Sequence, residues 1–262
     1  MKLIEKVVAR FKREEIYSTS EYWDKKAESY RDIRASMWPN RDLDDLYHRW
    51  QLHFLDCLLP DVSGKAILEI GCGTGRIALT LAKKGAHVTG MDFSVKALNI
   101  AKEAAVGEWP KWRYGSVFTL SDAGCYDAIV SIACLAMACR TRDQLLDAVR
   151  RCWDALVPDG KLVLIEPFHR GFLHRVLNLS AKEAVTLLEH NGFVIDYVSS
   201  MAFWPARLLL AELCLPRWLT KGVASCGEWV LAKVFNRRHF GDYSVIRAIK
   251  ATMTQVQEGC KP

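Results

Sequence analysis

A five-residue apolar run, Ala66-Ile67-Leu68-Glu69-Ile70, breaks off into Gly71-Cys72-Gly73-Thr74-Gly75 and resumes as a helical pattern from Arg76 to Gly85. Runs of that length bounded by glycine suit a strand buried on both faces. Three alternating glycines let the backbone turn tightly and let a ligand approach where a Cβ would stand in its way. A strand, a glycine turn and a helix in this order constrain the chain to an α/β layer structure with its ligand at the strand's carboxyl end.

The rhythm continues downstream. His87 to Asp92 reads as a second strand, and Ser94 caps a helix to Ala105. Trp112 to Tyr114, Tyr126 to Ile132, Lys161 to Ile165, Phe193 to Val198 and Gly241 to about Ile249 read as further strands. Helices at Arg142–Leu156 and Ala181–His190 fall between them. The expected fold is α/β: a doubly wound, mostly parallel seven-stranded sheet. Residues 1–60 read as helices, with a break before the sheet, so the expected division is 1–60 and 61–262. A Leu- and Trp-rich stretch, about 201–240, interrupts the domain as a helical insertion before the last strand.

The glycine turn separates two nucleotide-binding patterns. The nicotinamide fingerprint needs its third glycine where Arg76 stands. The observed Gly-x-Gly-x-Gly, preceded by Glu69, instead resembles motif I of the class I S-adenosylmethionine-dependent methyltransferases. Asp92 ends the second strand seventeen residues after Gly75, where a carboxylate's two oxygens suit a ribose diol. Asp127-Ala128-Ile129-Val130-Ser131 is similar to the family's motif at strand four. Leu156-Val157-Pro158-Asp159-Gly160-Lys161 and the strand that follows are similar to its late turn and strand five. The resemblance covers roughly Gly64 to Val198.

The resemblance implies a Rossmann-like fold and S-adenosyl-L-methionine as cofactor. It implies cofactor contacts at Glu69, Gly71, Cys72, Gly73 and Gly75, with Asp92 on the ribose and Phe93 beside the adenine. Gly115-Ser116 stands where the family usually carries Gly-Asp, so Ser116 and Val117 are the expected adenine contacts. Ser131 and Ile132 are expected beside the methionine moiety. The N-terminal helices resemble the family's cofactor lid, with Tyr22-Trp23, Tyr30, Trp38 and Arg49 as its aromatic and basic members. A guanidinium such as that of Arg49 grips a carboxylate bidentately, although packing and surface roles account equally well for Trp38 and Arg49.

Methyl transfer to oxygen or nitrogen benefits from a general base. His169, just past strand five in Glu166-Pro167-Phe168-His169-Arg170, is the expected base, with Glu166 orienting it or binding a hydroxyl, and His174 is a weaker second candidate. No set of His, Cys and acids has zinc spacing, so no metal is expected.

The expected function is methyl transfer to a small, partly hydrophobic or lipid-like acceptor. A cofactor-binding but catalytically idle subunit that regulates or scaffolds a partner enzyme is the alternative. Net charge is +6, and from Phe203 to Pro262 nine Lys/Arg stand against four acids, so most of the excess is local. That localisation, and the lack of a base-methylation motif, exclude nucleic acid as the expected partner. Nine scattered cysteines without CxxC pairs read as reduced thiols, and the charged N-terminus reads as no signal sequence, for a cytoplasmic protein. The insertion reads either as a cap closing the acceptor pocket, the favoured reading, or as a peripheral membrane contact.

Overall fold

The structure, a computed structural model, describes Tyr17 and residues 19–30, 40–211, 213 and 215–251. The expected first helix around Leu3–Phe11, Trp38 and the side chain of Tyr30 lie outside the described residues. Two N-terminal helices, α1 (Ser20–Tyr30) and α2 (Arg41–Leu58), precede β1 (Ala66–Ile70), α3 (Arg76–Lys83), β2 (His87–Asp92), α4 (Val95–Ala104) and β3 (Lys111–Tyr114). There follow β4 (Tyr126–Ile132), α5 (Leu135–Ala138), α6 (Arg142–Ala155), β5 (Leu156–Glu166) and α7 (Ala181–His190). The chain ends in β6 (Phe193–Phe203), α8 (Trp204–Leu210), α9 (Arg217–Lys233) and β7 (Gly241–Lys250).

One seven-stranded sheet has the order β3-β2-β1-β4-β5-β7-β6. Neighbours pair in parallel from β3 to β5, and β7 runs antiparallel to both β5 and β6. Strand polarity writes itself into the packing, because alternate residues of a strand point to opposite faces. Leu68, Ile129, Leu162 and Leu164 pack with Leu145, Val149 and Leu187 on one side of the sheet. Ile67, Val130, Val163 and Ile165 pack with Leu43, Phe54, Leu58 and Ile77 on the other. Both faces are therefore covered, as a parallel sheet requires.

Strand order reverses between β1 and β4, and the crevice beyond their carboxyl ends is where an open α/β sheet binds ligands. Beside that crevice, α2 begins at Asn40, whose Oδ1 accepts the Leu43 amide at 3.1 Å. The same side chain donates through Nδ2 to Leu210 O at 3.1 Å and Leu213 O at 3.0 Å, fastening α2 to the α8–α9 connection.

Strand six extends beyond the expected Val198 to Phe203, since pairing with β7 persists through Met201–Tyr243 and Phe203–Gly241. The insertion's helices therefore start at Trp204. Among the described residues no helix is long and apolar enough to cross a membrane.

Candidate active site

The glycine turn is shaped by what surrounds it. A Cβ on Gly71, at φ +70°, would fall 2.4 Å from Cys134 Sγ, and one on Gly75, at φ +81°, would fall 2.4 Å from Trp112 Cη2. Gly73, at φ +54°, has nothing within 4 Å of its would-be Cβ and faces open space. Its amide donates to Asp92 Oδ2 at 2.8 Å, while Asp92 Oδ1 accepts the Ser94 amide at 2.8 Å. The carboxylate is thus held by both neighbouring turns, and each oxygen keeps lone-pair capacity for another donor.

Around this turn lies a cavity of about 480 Å³. Glu69, Gly71, Cys72, Gly73, Asp92, Phe93, Ser116, Val117 and Ile132 all line it. Gly75 does not: it caps α3 in the left-handed conformation and lets Trp112 close over the helix start, so its role is packing. Ser131 is also outside the wall, fully buried, with Oγ donating to Glu166 Oε1 at 2.7 Å.

Neither expected catalytic residue lines the cavity. Glu166 is fully buried and its carboxylate is engaged entirely by donors. Oε1 accepts the Cys134 and Leu135 amides at 3.1 and 3.0 Å, and Oε2 accepts the Ala136 amide at 3.1 Å. It caps α5 from a neighbouring strand, where amides would otherwise be orphaned. His169 lies off the cavity, its Nε2 2.8 Å from Asp242 O. His174, half-buried, also lies off the cavity and bonds the Gly171 carbonyl. Arg49 is exposed and does not line the cavity, because α2 presents Asp44, Tyr47, His48 and Gln51 to it. That spacing is one helical stripe, and position 49 lies about 100° off it.

Trp23, one of the expected lid aromatics, does line the cavity, whereas sequence reasoning missed that stripe, along with Lys26 of α1, Met137 of α5 and Tyr243 of β7, all on the cavity wall. Arg76 Nη1 meets Asp44 Oδ2 at 2.8 Å, joining α2 to the residue that follows the glycine turn. Asp24 of α1 accepts Ser94 Oγ at 2.6 Å and the Lys96 amide at 3.2 Å, so α1 docks on the start of α4. Tyr243 accepts from Arg175 Nη1 at 3.1 Å. Arg175 and Arg207 in turn share the fully buried Asp242, which also accepts the Tyr47 hydroxyl at 3.1 Å. Burial alone would raise the Asp242 pKa, but the two guanidinia outweigh it and hold the carboxylate low.

Electrostatics single out Glu69. Its Oε2 is buried without a hydrogen-bond partner, and burial, aided by the charge of Asp92, pushes its pKa up to about 8 against the Ala78 amide. Burial also raises Asp92, opposed by the amides of Ser94 and Gly73. Burial and the nearby Arg76 charge depress His48 to about 4. A neutral imidazole and an acid short of a cationic partner thus face one cavity.

Comparisons with known proteins agree with this fold. The methyltransferase domain family matches residues 67–160. The chain is 33% identical over 135 residues to the demethylmenaquinone methyltransferase of Tropheryma whipplei (strain Twist), covering 48% of this chain and 55% of that protein. It is 30% identical over 173 residues to the ubiquinone biosynthesis O-methyltransferase of Aromatoleum aromaticum, covering 59% of this chain and 71% of that one. The chain thus spans about half the length of the first relative and more of the second. The N-methyltransferase NodS of Bradyrhizobium japonicum, solved with S-adenosyl-L-homocysteine, has the same fold. Its TM-score is 0.61 at 16% identity, covering 90% of this chain and 100% of that one. Fold and glycine turn define a nucleoside-binding α/β protein. The chain belongs to the class I S-adenosylmethionine-dependent methyltransferases, whose cofactor is S-adenosyl-L-methionine.

Proposed function

We propose that the chain transfers the methyl group of S-adenosyl-L-methionine to an oxygen or nitrogen of a small, partly hydrophobic acceptor. The observation that carries this reading is the orphaned Glu69 Oε2 beside Gly71 and Gly73 in the same cavity as Asp92. A buried carboxylate without a partner is costly and fits a ligand that brings a cation. In this reading Glu69 faces the cofactor's ammonium group, Asp92 accepts the ribose hydroxyls, and Phe93, Ser116 and Val117 border the adenine. When bound, the cofactor supplies an electrophilic methyl on a sulfonium.

The chain's own residues then position and shield. In this reading α1 and α2 act as a lid that excludes water from the reacting atoms, with Asp44–Arg76 fixing α2 to the glycine turn. Ile132, Ala133, Cys134 and Met137 form a mostly apolar wall for the acceptor. Among the titratable groups on the wall, which include Lys26, Tyr47 and Tyr243, His48 is a neutral imidazole and is the group we assign to accept the acceptor's proton. The relatives named for quinones support a hydrophobic acceptor, and the one named an O-methyltransferase supports transfer to oxygen.

Isothermal titration with S-adenosylhomocysteine, and turnover of labelled methyl from S-adenosylmethionine against a panel of quinols and phenols, test the reading. Binding that Asp92→Asn weakens at least roughly tenfold, together with label in an acceptor, is the expected result. Absence of binding, or binding indifferent to Asp92→Asn, overturns it. Binding without transfer to any acceptor class would favour the idle-subunit alternative.

A further inference from the structure

The insertion does not close the cavity. Among the described residues none from 201–240 lines it. Instead α8 and α9 pack behind α2, where Asn40 also donates to Thr220 Oγ1 at 3.3 Å. On α9 the buried positions Thr220, Ala224, Gly227 and Leu231 form one inward stripe. Phe203 and Ala206 fit so closely against Gly227 that a Cβ there would meet theirs at 3.1 and 3.0 Å.

The outward side carries bulky apolar groups that no described residue covers. Trp218 is 75% exposed, Trp229 59% and Val234 61%. Eleven residues separate the two tryptophans, about three helical turns, so both rings project from the same side of α9, roughly 16 Å apart along its axis. Leu208, Leu209 and Leu213, before α9, and Phe240, after it, are exposed as well.

Charge identifies the occupant. Residues 201–240 contain six Lys/Arg and two acids. Of those acids, Glu228 is engaged by Arg237 and by the Ala202 amide, and Glu212 lies outside the described residues. Arg217 pairs with Asp42 at 3.3 Å, whereas Lys221, Lys233 and Arg238 face no acidic side chain among the described residues. Exposed tryptophans at headgroup depth beside unneutralised basic side chains match a surface of anionic phospholipid.

We infer that α8 and α9 form a docking face for an anionic bilayer, with Trp218 and Trp229 entering the headgroup region and Lys221, Lys233 and Arg238 meeting lipid phosphates. The inference stands on its own surface. It also deepens the functional reading, since an acceptor with a hydrophobic part partitions into bilayers.

Co-sedimentation of the full chain with phosphatidylcholine vesicles, alone or mixed with phosphatidylglycerol, tests this at low and raised salt. Wild type is expected to sediment only with the mixed vesicles, and less so at raised salt. Trp218→Ser with Trp229→Ser, and separately Lys233→Glu with Arg238→Glu, should each lower the bound fraction roughly fivefold. Both double variants should keep wild-type affinity for S-adenosylhomocysteine, because none of these side chains lines the cavity. No sedimentation of wild type at low salt overturns the inference, as do variants that bind vesicles like wild type. A concentration-dependent dimer abolished by the tryptophan changes, in a protein that ignores vesicles, overturns it in favour of self-association. Loss of nucleoside binding by wild type would instead strike the reading of the cavity and leave vesicle binding untouched.

Discussion

Asp44 and Arg76, thirty-two positions apart in the chain, meet at 2.8 Å with only 12% and 16% of their side chains exposed. One stands on the helix that covers the cavity, the other directly after the glycine turn. Their pairing means that a helix packed outside the sheet and the loop that would hold the cofactor share one contact.

Removing one side of that pair should loosen the cover without unfolding the protein. Asp45 stays 3.4 Å from Arg76 and retains part of the interaction. Asp44→Asn is expected to cost about 1–2 kcal/mol of closure, between the values for exposed and buried pairs. Titration calorimetry should then record S-adenosylhomocysteine affinity lowered roughly tenfold. Unchanged affinity would show that the contact plays no part in holding the ligand.

The turn itself is tightest at Gly71. Alanine there must adopt φ +70° and press on Cys134, whose Sγ and Cβ would lie 2.4 and 2.6 Å from the new atom. We predict a loss of about 2–4 kcal/mol, read as a fall in melting temperature of roughly 5–15 °C. Cys134→Gly in the same chain removes the clash but not the dihedral penalty, so it should recover part of the loss.

Glu69 gives a pH signature. Its folded pKa of about 8 lies above the ordinary 4.5, so between those values the folded state binds the additional proton. Its contribution to stability is therefore present at low pH and lost as pH rises through about 8. Glu69→Gln should gain on wild type in thermal melts from pH 5 to pH 9. A cationic ligand favours the carboxylate, so below pH 8 nucleoside binding should release a proton, detectable in buffers of different ionisation enthalpy. Glu69→Gln should abolish that release.

His48 and His169 should separate cleanly. His48→Ala is expected to lower turnover at least roughly tenfold while nucleoside affinity changes little. With its pKa depressed to about 4, the imidazole should leave the rate flat in pH from 5.5 to 7.5. His169→Ala should leave turnover within about twofold and show its effect in melting temperature, since its ring serves the Asp242 network. The opposite pattern would restore His169 as the base.

What was legible in the sequence is what is local. The strand before Gly71, the cap at Ser94 and the Glu69 and Asp92 positions follow from short-range patterns, and all three glycines sit in left-handed turns. That Glu166 and His169 lie off the cavity was not legible, because a sheet-edge position says nothing about which way a side chain turns. Glu166 turned inward to satisfy the amides opening α5. Tyr243 could not have been found, because only the insertion of β7 between β5 and β6 returns it to the cavity. Asp44, Tyr47, His48 and Gln51 do leave a signal, a polar stripe at helical spacing on a side of α2 away from Arg49.

Asn40 makes the insertion and the cavity cover mechanically continuous. Through one amide group, the start of α2 is riveted to the carbonyls of Leu210 and Leu213, so a push on α9 from outside reaches Asp44 without crossing the sheet. A surface that seats the two tryptophans would then also set the tilt of the helix carrying His48, and arrival of the protein at its acceptor's reservoir would be felt where the chemistry happens.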